Sequence, residues 1–223
     1  MKIIANEAGK ASQKLNPDEV LPSGGFHVPE LIRLISERYG FANRPTIETS
    51  QQGGAKFTDG RLIAGSVKKN IRQLTVFNDG LEVLAGDTSS AELMLDDLLN
   101  WAQHAVGLRP PITYERFFEN VIVAEFEASM DGPFKILSGV SHLFQSMLTN
   151  HYKKPAGVAL ARIAISNDAI QNPLPIPSAS FIVERRDGIA FSANRYFSLA
   201  PLRTDAHVQL LEEFERTLLQ AAK

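Results

Sequence analysis

The sequence predicts an α+β fold in which hairpins form an antiparallel sheet and amphipathic helices pack on one face of it. Two observations carry this prediction. Short runs of β-branched and aromatic residues are separated by Asp-Gly turns, and apolar residues recur at helical spacing between those runs. The 223 residues are 44% apolar and 22% charged, a composition typical of globular chains.

The N-terminal segment, residues 1–25, is expected to be an extended or disordered arm. It contains few apolar residues and includes the Gly24-Gly25 pair. So little apolar area cannot offset the entropy that is lost when the chain becomes ordered. We therefore expect this arm to contribute nothing to the core.

A first α+β half is predicted over residues 26–109. Its opening helix spans Val28–Tyr39, with Pro29 in the first turn and Gly40 as the stop. A β-hairpin follows, and its tight turn is expected to place Gly80 at positive φ.

The second helix of this half is predicted to begin at Ser89. Glu92 lies three residues later, so the two side chains can form a capping box. Apolar residues then recur at helical spacing until Gly107 and Pro110-Pro111 end the helix.

A second α+β half is predicted over residues 110–223. Its first strand is expected at Val121–Ala128, where apolar side chains alternate along one face. Gly188 is expected at the turn of a hairpin that joins Ser180–Arg185 to Ile189–Phe197.

A helix with almost no charge is predicted between Phe134 and His151, where Lys135 is the single charged residue. A helix exposed to water normally carries several charges, so we expect this one to be covered. A subunit interface at its polar positions Ser141 and Gln145 is the favoured explanation. Burial inside the chain and plain exposure are the alternatives.

The two halves show the same order of elements, which is compatible with an internal duplication. Gly80 and Gly188 of the two hairpin turns lie 108 residues apart, and the helix caps Ser89 and Thr204 lie 115 apart. Residue identity between the halves is weak. One continuous α+β domain whose elements recur is therefore the alternative.

No residue pattern indicates a catalytic centre, a metal site or a cofactor site. Cysteine is absent, and the five histidines lie at no spacing typical of metal ligands. Glu125 and Glu127 alternate on one predicted strand face and would be the candidates for a metal-dependent or hydrolase-like enzyme. A solvated strand face is the simpler explanation, so the sequence favours a non-catalytic protein.

Basic residues are concentrated in the hairpins and acidic residues in the helices that follow them. The segment Lys56–Arg72 has a net charge of +4, whereas the predicted helix from Ser89 to Val106 has −3. Such a bipolar surface suits head-to-tail self-association or an acidic partner. The alternative is that the basic and acidic segments are independent solvated faces. The basic residues that would bind a nucleic acid or another anionic ligand are Arg61, Lys68, Lys69, Arg72, Arg185, Arg186, Arg195 and Arg203.

These observations together predict a non-catalytic binding or assembly protein, either a homo-oligomer or a subunit of a multi-protein complex. A protein partner is expected, and nucleic acid is the less favoured partner because the net charge is −2. No apolar run is long enough to span a membrane, so no membrane partner is expected. Without cysteine or an apolar signal core after Met1, a cytoplasmic location is expected.

Overall fold

The computed structural model describes residues 1–22, 27–46, 54–112, 115–132, 137–168, 170–171, 174 and 180–221. Within these residues the chain contains five α-helices and one eight-stranded sheet. The strands are β1 (Lys2–Lys14), β2 (Ala55–Ala64), β3 (Val67–Phe77), β4 (Gly80–Ala85), β5 (Glu115–Glu125), β6 (Arg162–Ser166), β7 (Ser180–Arg185) and β8 (Arg195–Ala200). The helices are α1 (Pro17–Val20), α2 (Val28–Tyr39), α3 (Thr88–Ala105), α4 (Ser138–Tyr152) and α5 (Thr204–Ala221).

The strands are ordered β2-β3-β4-β1-β5-β8-β7-β6 in the sheet, so β2 and β6 are its edges. Antiparallel pairing joins β1 to β4, β2 to β3, β3 to β4, β6 to β7 and β7 to β8. The predicted α+β class with an antiparallel sheet is confirmed.

Two compact units divide the chain. The N-terminal unit contains Asn6–Asn120 and Pro201–Thr204. The C-terminal unit contains Met1–Ala5, Val121–Ala200 and Asp205–Lys223. Strands β1 and β5 therefore contribute residues to both units.

Strand β1 belongs to the sheet, which corrects the expectation of an arm outside the core. Residues Gly9–Lys14 pair with β4, and Ala11 is completely buried. The buried amide oxygen of Gln13 accepts two hydrogen bonds from the Arg116 guanidinium, at 2.9 and 2.8 Å. Backbone pairing with neighbouring strands orders this segment despite its few large apolar side chains. Residues 23–25 of the predicted arm lie outside the described residues.

The core of the N-terminal unit includes residues of α2, α3 and strands β1 to β4. Ile32 and Ile35 of α2 belong to the same buried cluster as Met94 of α3 and Phe57 of β2. Helix α2 has the predicted bounds, and Gly40 ends it at a φ of 58°.

The first hairpin is confirmed, but Gly80 is not among the glycines with positive φ. A Cβ atom added at Gly80 would lie 2.7 Å from the backbone oxygen of Gln13. Glycine is therefore required by the close approach of β1 rather than by the turn conformation.

Helix α3 begins one residue earlier than predicted and uses a different cap. Asp87 is the N-cap, and its carboxylate accepts a hydrogen bond of 2.7 Å from the Ser90 amide. Glu92 forms no capping box and instead pairs with Arg116 at 3.1 Å and with Arg203 at 2.7 Å.

The hairpin of the C-terminal unit has a longer connection than predicted. β7 ends at Arg185 as expected, but β8 begins at Arg195 rather than at Ile189. Phe191–Ala193 form a 3-10 turn, and Asn194 then takes a left-handed φ of 45°. Gly188 has the predicted positive φ, at 74°.

Candidate functional site

Helix α4 presents an apolar surface that the rest of the described chain leaves uncovered. None of its residues is buried, and it contains no Asp, Glu, Lys or Arg. Six large apolar side chains that are 44–68% exposed make up what we call the α4 surface: Leu137, Val140, Leu143, Phe144, Met147 and Tyr152.

The α4 surface follows helical spacing. Val140, Leu143, Phe144 and Met147 are separated by three, one and three residues, so their side chains lie along one stripe. The stripe is the amphipathic pattern of a helix that packs against a partner, yet no partner is present in its own unit. Within the described residues, none of the residues of α4 is buried. Residues 134–136 of the predicted helix lie outside the described residues.

The predicted interface positions Ser141 and Gln145 are both described. Ser141 is half-buried and Gln145 is exposed. The larger apolar side chains around them, rather than these polar ones, dominate the exposed surface. Whether a partner covers them stays a prediction.

The chain segment that carries α4 is closed at its base by Asp131 and Leu160. The Leu160 amide donates a hydrogen bond of 2.7 Å to Asp131 Oδ1. Arg185 donates to the Leu160 carbonyl at 2.9 Å and also pairs with the Asp131 carboxylate. We call the residues between Asp131 and Leu160 the α4 arm; these contacts join its two ends.

Arg185 holds this base from the interior of the unit. Its side chain is only 6% exposed and stacks over the rings of Phe191, at 4.6 Å, and Tyr196, at 5.4 Å. It also donates to the Phe191 carbonyl at 3.1 Å and to Ser129 Oγ at 3.2 Å. The sequence pattern singled out Arg185 for an external anion, whereas the structure uses its guanidinium inside the unit.

Edge strand β6 has an exposed Ile165 and a half-buried Ile163 on the sheet face that α5 contacts. Ile163 pairs with Val183 and Ile165 with Phe181 of β7, and paired residues share a face. Val183 and Phe181 are buried, and the Phe181 ring lies 5.8 Å from that of Phe214 in α5. Ile165 on the same face is nevertheless 60% exposed. We call Ile163 and Ile165 the β6 strip.

The predicted basic residues of the first hairpin form two small groups. Arg61 pairs with Asn70 and Lys68 with Ile63, so Arg61 and Lys68 share one face of the sheet. Lys69 pairs with Leu62 and points to the other face. Arg72 donates a hydrogen bond to the Glu7 carbonyl.

The remaining basic residues have contacts within their own units. Arg195 pairs with Glu125 at 3.0 Å in the C-terminal unit. In the N-terminal unit, Arg203 pairs with Glu92 and stacks over Phe118 at 4.5 Å. Arg186 is exposed, and its amide donates to the Arg195 carbonyl at 3.1 Å. The eight predicted residues are thus divided between the units, and the side chains of Arg72, Arg185, Arg195 and Arg203 contact groups of their own unit.

The two candidate carboxylates do not share a strand face as predicted. Glu125 is the last residue of β5 and pairs with Arg195, whereas Glu127 lies beyond the strand. The Glu127 carboxylate lies 3.9 Å from the N-terminal ammonium of Met1. Among the described residues, no three His, Asp or Glu side chains are arranged to hold a metal ion.

A serine and a histidine form a hydrogen bond inside the C-terminal unit. Ser198 Oγ lies 2.9 Å from His207 Nε2 and 2.8 Å from the Ile182 carbonyl, and both side chains are fully buried. Burial lowers the pKa of His207 to about 4. Because no substrate can reach Ser198 in this position, the pair is structural rather than catalytic.

An apolar cavity of about 570 Å³ lies in the N-terminal unit between α1, α2, α3 and the sheet. None of its described lining residues is charged, and they include Val28, Ile35, Phe77, Trp101 and Leu108. Its volume is within the range of small-ligand sites. The sequence analysis did not find it, because its walls come from elements that are distant in the chain.

No helix in the described part of the chain is long and apolar enough to cross a membrane. Comparison with protein-family models and with curated proteins finds no match to this chain. The function is therefore inferred from the geometry of the molecule.

Proposed function

We propose that this chain is a non-catalytic binding or assembly protein that contacts another protein through the α4 surface. The observation that carries the proposal is the group of six exposed apolar side chains on and beside a helix without charge. Contiguous apolar surface of this kind usually marks an interaction site. Burial against a partner would stabilise it by roughly 25 cal/mol per Å² of apolar area.

The proposal includes an internal duplication, with helices on one face of the sheet. Apart from the short helix α1 after β1, the order β1-α2-β2-β3-β4-α3 is matched by β5-α4-β6-β7-β8-α5, and the strand orders β1-β4-β3-β2 and β5-β8-β7-β6 correspond. Thr88 and Thr204, the first residues of α3 and α5, lie 116 residues apart. In this correspondence α4 is the counterpart of α2.

The two alternative functions have weaker support. Anionic-ligand binding would need free basic groups, but Arg185, Arg195 and Arg203 each contact a carboxylate. A carboxylate-based enzyme would need Glu125 and Glu127 together, and these residues have separate partners. The apolar surface of α4 has no such competing contact in the described chain.

Solution mass at several concentrations tests the proposal, combined with affinity capture from native lysate. Leu143→Glu with Met147→Glu places two charges on the α4 surface. Ile63→Glu is the matched control, because Ile63 is equally exposed, at 63%, but lies on β2. We expect the double variant, and not the control, to lose association with itself or with a captured partner. Equal association of all three proteins would overturn the proposal.

A further inference from the structure

In its described part, the C-terminal unit contains a helix without a buried residue and a β6 strip in which Ile165 is exposed and Ile163 is half-buried. We infer that the two belong together across two copies of the chain: α4 of one copy packs on the β6 strip of the other, and the exchange is reciprocal. This inference rests on the proposed assembly function and names the partner as a second copy.

Helix α2 shows what a helix at this place in the element order does when it is packed. It buries Ile32, Ile35 and Tyr39 within the N-terminal unit. Helix α4 is longer, at 15 residues against 12, and buries none. Both helices have the apolar stripe needed for packing. They differ in whether other residues of their own unit pack against that stripe.

The edge strands of the two units show the same difference. On edge strand β2, Phe57 pairs with Leu74, Leu74 pairs with Val83, and all three are fully buried. On edge strand β6, Ile165 pairs with Phe181, and Phe181 is buried while Ile165 is 60% exposed. The outermost position of this row is thus covered in one unit and uncovered in the other. An apolar helix from a second copy would cover Ile165, which the described residues leave 60% exposed.

The link between α4 and β6 allows the helix to reach a second copy. Residues 153–161 contain no helix or strand, and Lys153 ends α4 in a left-handed conformation with φ of 55°. Because Leu160 is held at the base, residues 153–159 are the free part of this link, and seven residues can extend to about 25 Å. The base formed by Asp131 and Leu160 stays closed while the helix beyond it is exchanged. Exchange of an identical element is a low-cost route to a symmetric dimer.

The exposed area suits a dimer. Six apolar side chains that each expose on the order of 100 Å² offer about 600 Å² per copy, so two copies bury about 1,200 Å² before the β6 strips are counted, the lower limit for a stable interface. Charge also favours a second copy. Helix α4 has no charged side chain to attract an acidic or basic partner, and none to repel its own symmetry mate.

Disulfide cross-linking tests the exchange, because the native chain has no cysteine. Leu143→Cys and Ile165→Cys are made in separate proteins of distinguishable mass and mixed under mild oxidation. A disulfide requires Cα atoms within about 7 Å. We expect a cross-linked heterodimer between the two proteins. Met147→Cys replaces Leu143→Cys if the latter fails to fold, as judged by circular dichroism.

The control pair is Leu143→Cys with Ile63→Cys, which should give no heterodimer. Three outcomes would overturn the exchange. A bridge only between two Leu143→Cys chains would show face-to-face packing of α4 and would leave the assembly function standing. A bridge within one chain of the double variant Leu143→Cys and Ile165→Cys would show that α4 folds back on its own sheet, which contradicts both proposals. Absence of any bridge, in a protein whose association still depends on the α4 surface, would indicate a different partner.

Discussion

Thr88 and Thr204 bind each other reciprocally at the first residues of two helices. The Thr88 amide donates to Thr204 Oγ1 at 3.1 Å, and the Thr204 amide donates to Thr88 Oγ1 at 2.9 Å. The two hydroxyl oxygens are 3.1 Å apart, so one hydroxyl also donates to the other. Each threonine hydroxyl thus accepts a hydrogen bond from the first backbone N–H group of the other helix. Such N–H groups have no acceptor within their own helix. The reciprocity is what the proposed duplication would produce where equivalent residues meet.

Replacement of either threonine by valine should therefore destabilise the protein. Valine has nearly the same shape but no hydroxyl, so one buried amide loses its acceptor, at a cost of about 1–2 kcal/mol. The double variant should cost less than the two single variants together, because they share one network. Denaturant unfolding measures the three free energies. Thr217→Val, at an exposed helical site, is the control and should change stability by less than about 0.5 kcal/mol. Additive effects of the two threonines would contradict the reciprocal contact.

Gly9 tests the position of β1 in the sheet. A Cβ atom at Gly9 would lie 2.1 Å from the backbone carbon of Asp87, so Gly9→Ala should destabilise by at least about 2 kcal/mol. Gly86→Ala is the control, since a Cβ there meets nothing within 4 Å. Thermal unfolding compares the two variants. If Gly9→Ala were as stable as Gly86→Ala, the first strand would lie elsewhere, as the sequence analysis expected.

Sequence patterns predicted those elements whose bounds depend on residues within the element or next to it. The bounds of α2 followed from apolar spacing, Pro29 and Gly40, and the end of β7 followed from its turn residues. Strand β1 was missed because its order depends on backbone pairing with β4, which begins 66 residues after Lys14. No periodicity in the segment itself reveals such a partner.

The candidate site was predictable only in part for the same reason. The lack of charge in α4 is visible in the sequence and singled out the helix on which the proposal rests. The base of the α4 arm was not visible, because Arg185 meets Asp131 and Leu160 from positions 54 and 25 residues away. Composition shows that a helix has no charge, but it does not show whether that helix is buried or exposed.

The pH dependence of stability should contain a contribution from His207. Its pKa is lowered to about 4 in the folded protein, whereas the unfolded chain has an ordinary histidine pKa of about 6.5. The unfolded state therefore binds more protons between these values. The contribution of His207 to the free energy of unfolding is fully present above pH 6.5 and falls by about 3 kcal/mol as the pH decreases to about 4.

His207→Gln should remove this contribution, although it lowers stability at neutral pH by disturbing the contact with Ser198. The measurement is the free energy of unfolding from pH 7 to pH 4, compared between parent and variant so that carboxylate titration cancels. His104→Gln, at an exposed position, should retain the parent slope. If the free energy of unfolding of His207→Gln depended on pH as it does in the parent, the imidazole would be accessible to water in the native state.

Arg185→Lys should destabilise the C-terminal unit and open the base of the α4 arm. A guanidinium reaches Leu160, Phe191, Ser129 and Asp131 at once, and a single ammonium group cannot reproduce this set. Loss of these buried contacts should cost about 3 kcal/mol in denaturant unfolding. The Leu160 amide, which donates to Asp131, should exchange its hydrogen faster with solvent. Arg162→Lys is the control, because Arg162 is half-exposed and its pair with Glu184 is long, at 4.0 Å, so stability should change by less than about 0.5 kcal/mol. Unchanged exchange at Leu160 in Arg185→Lys would mean that Asp131 alone closes the arm, and Asp131→Asn would then show the larger effect.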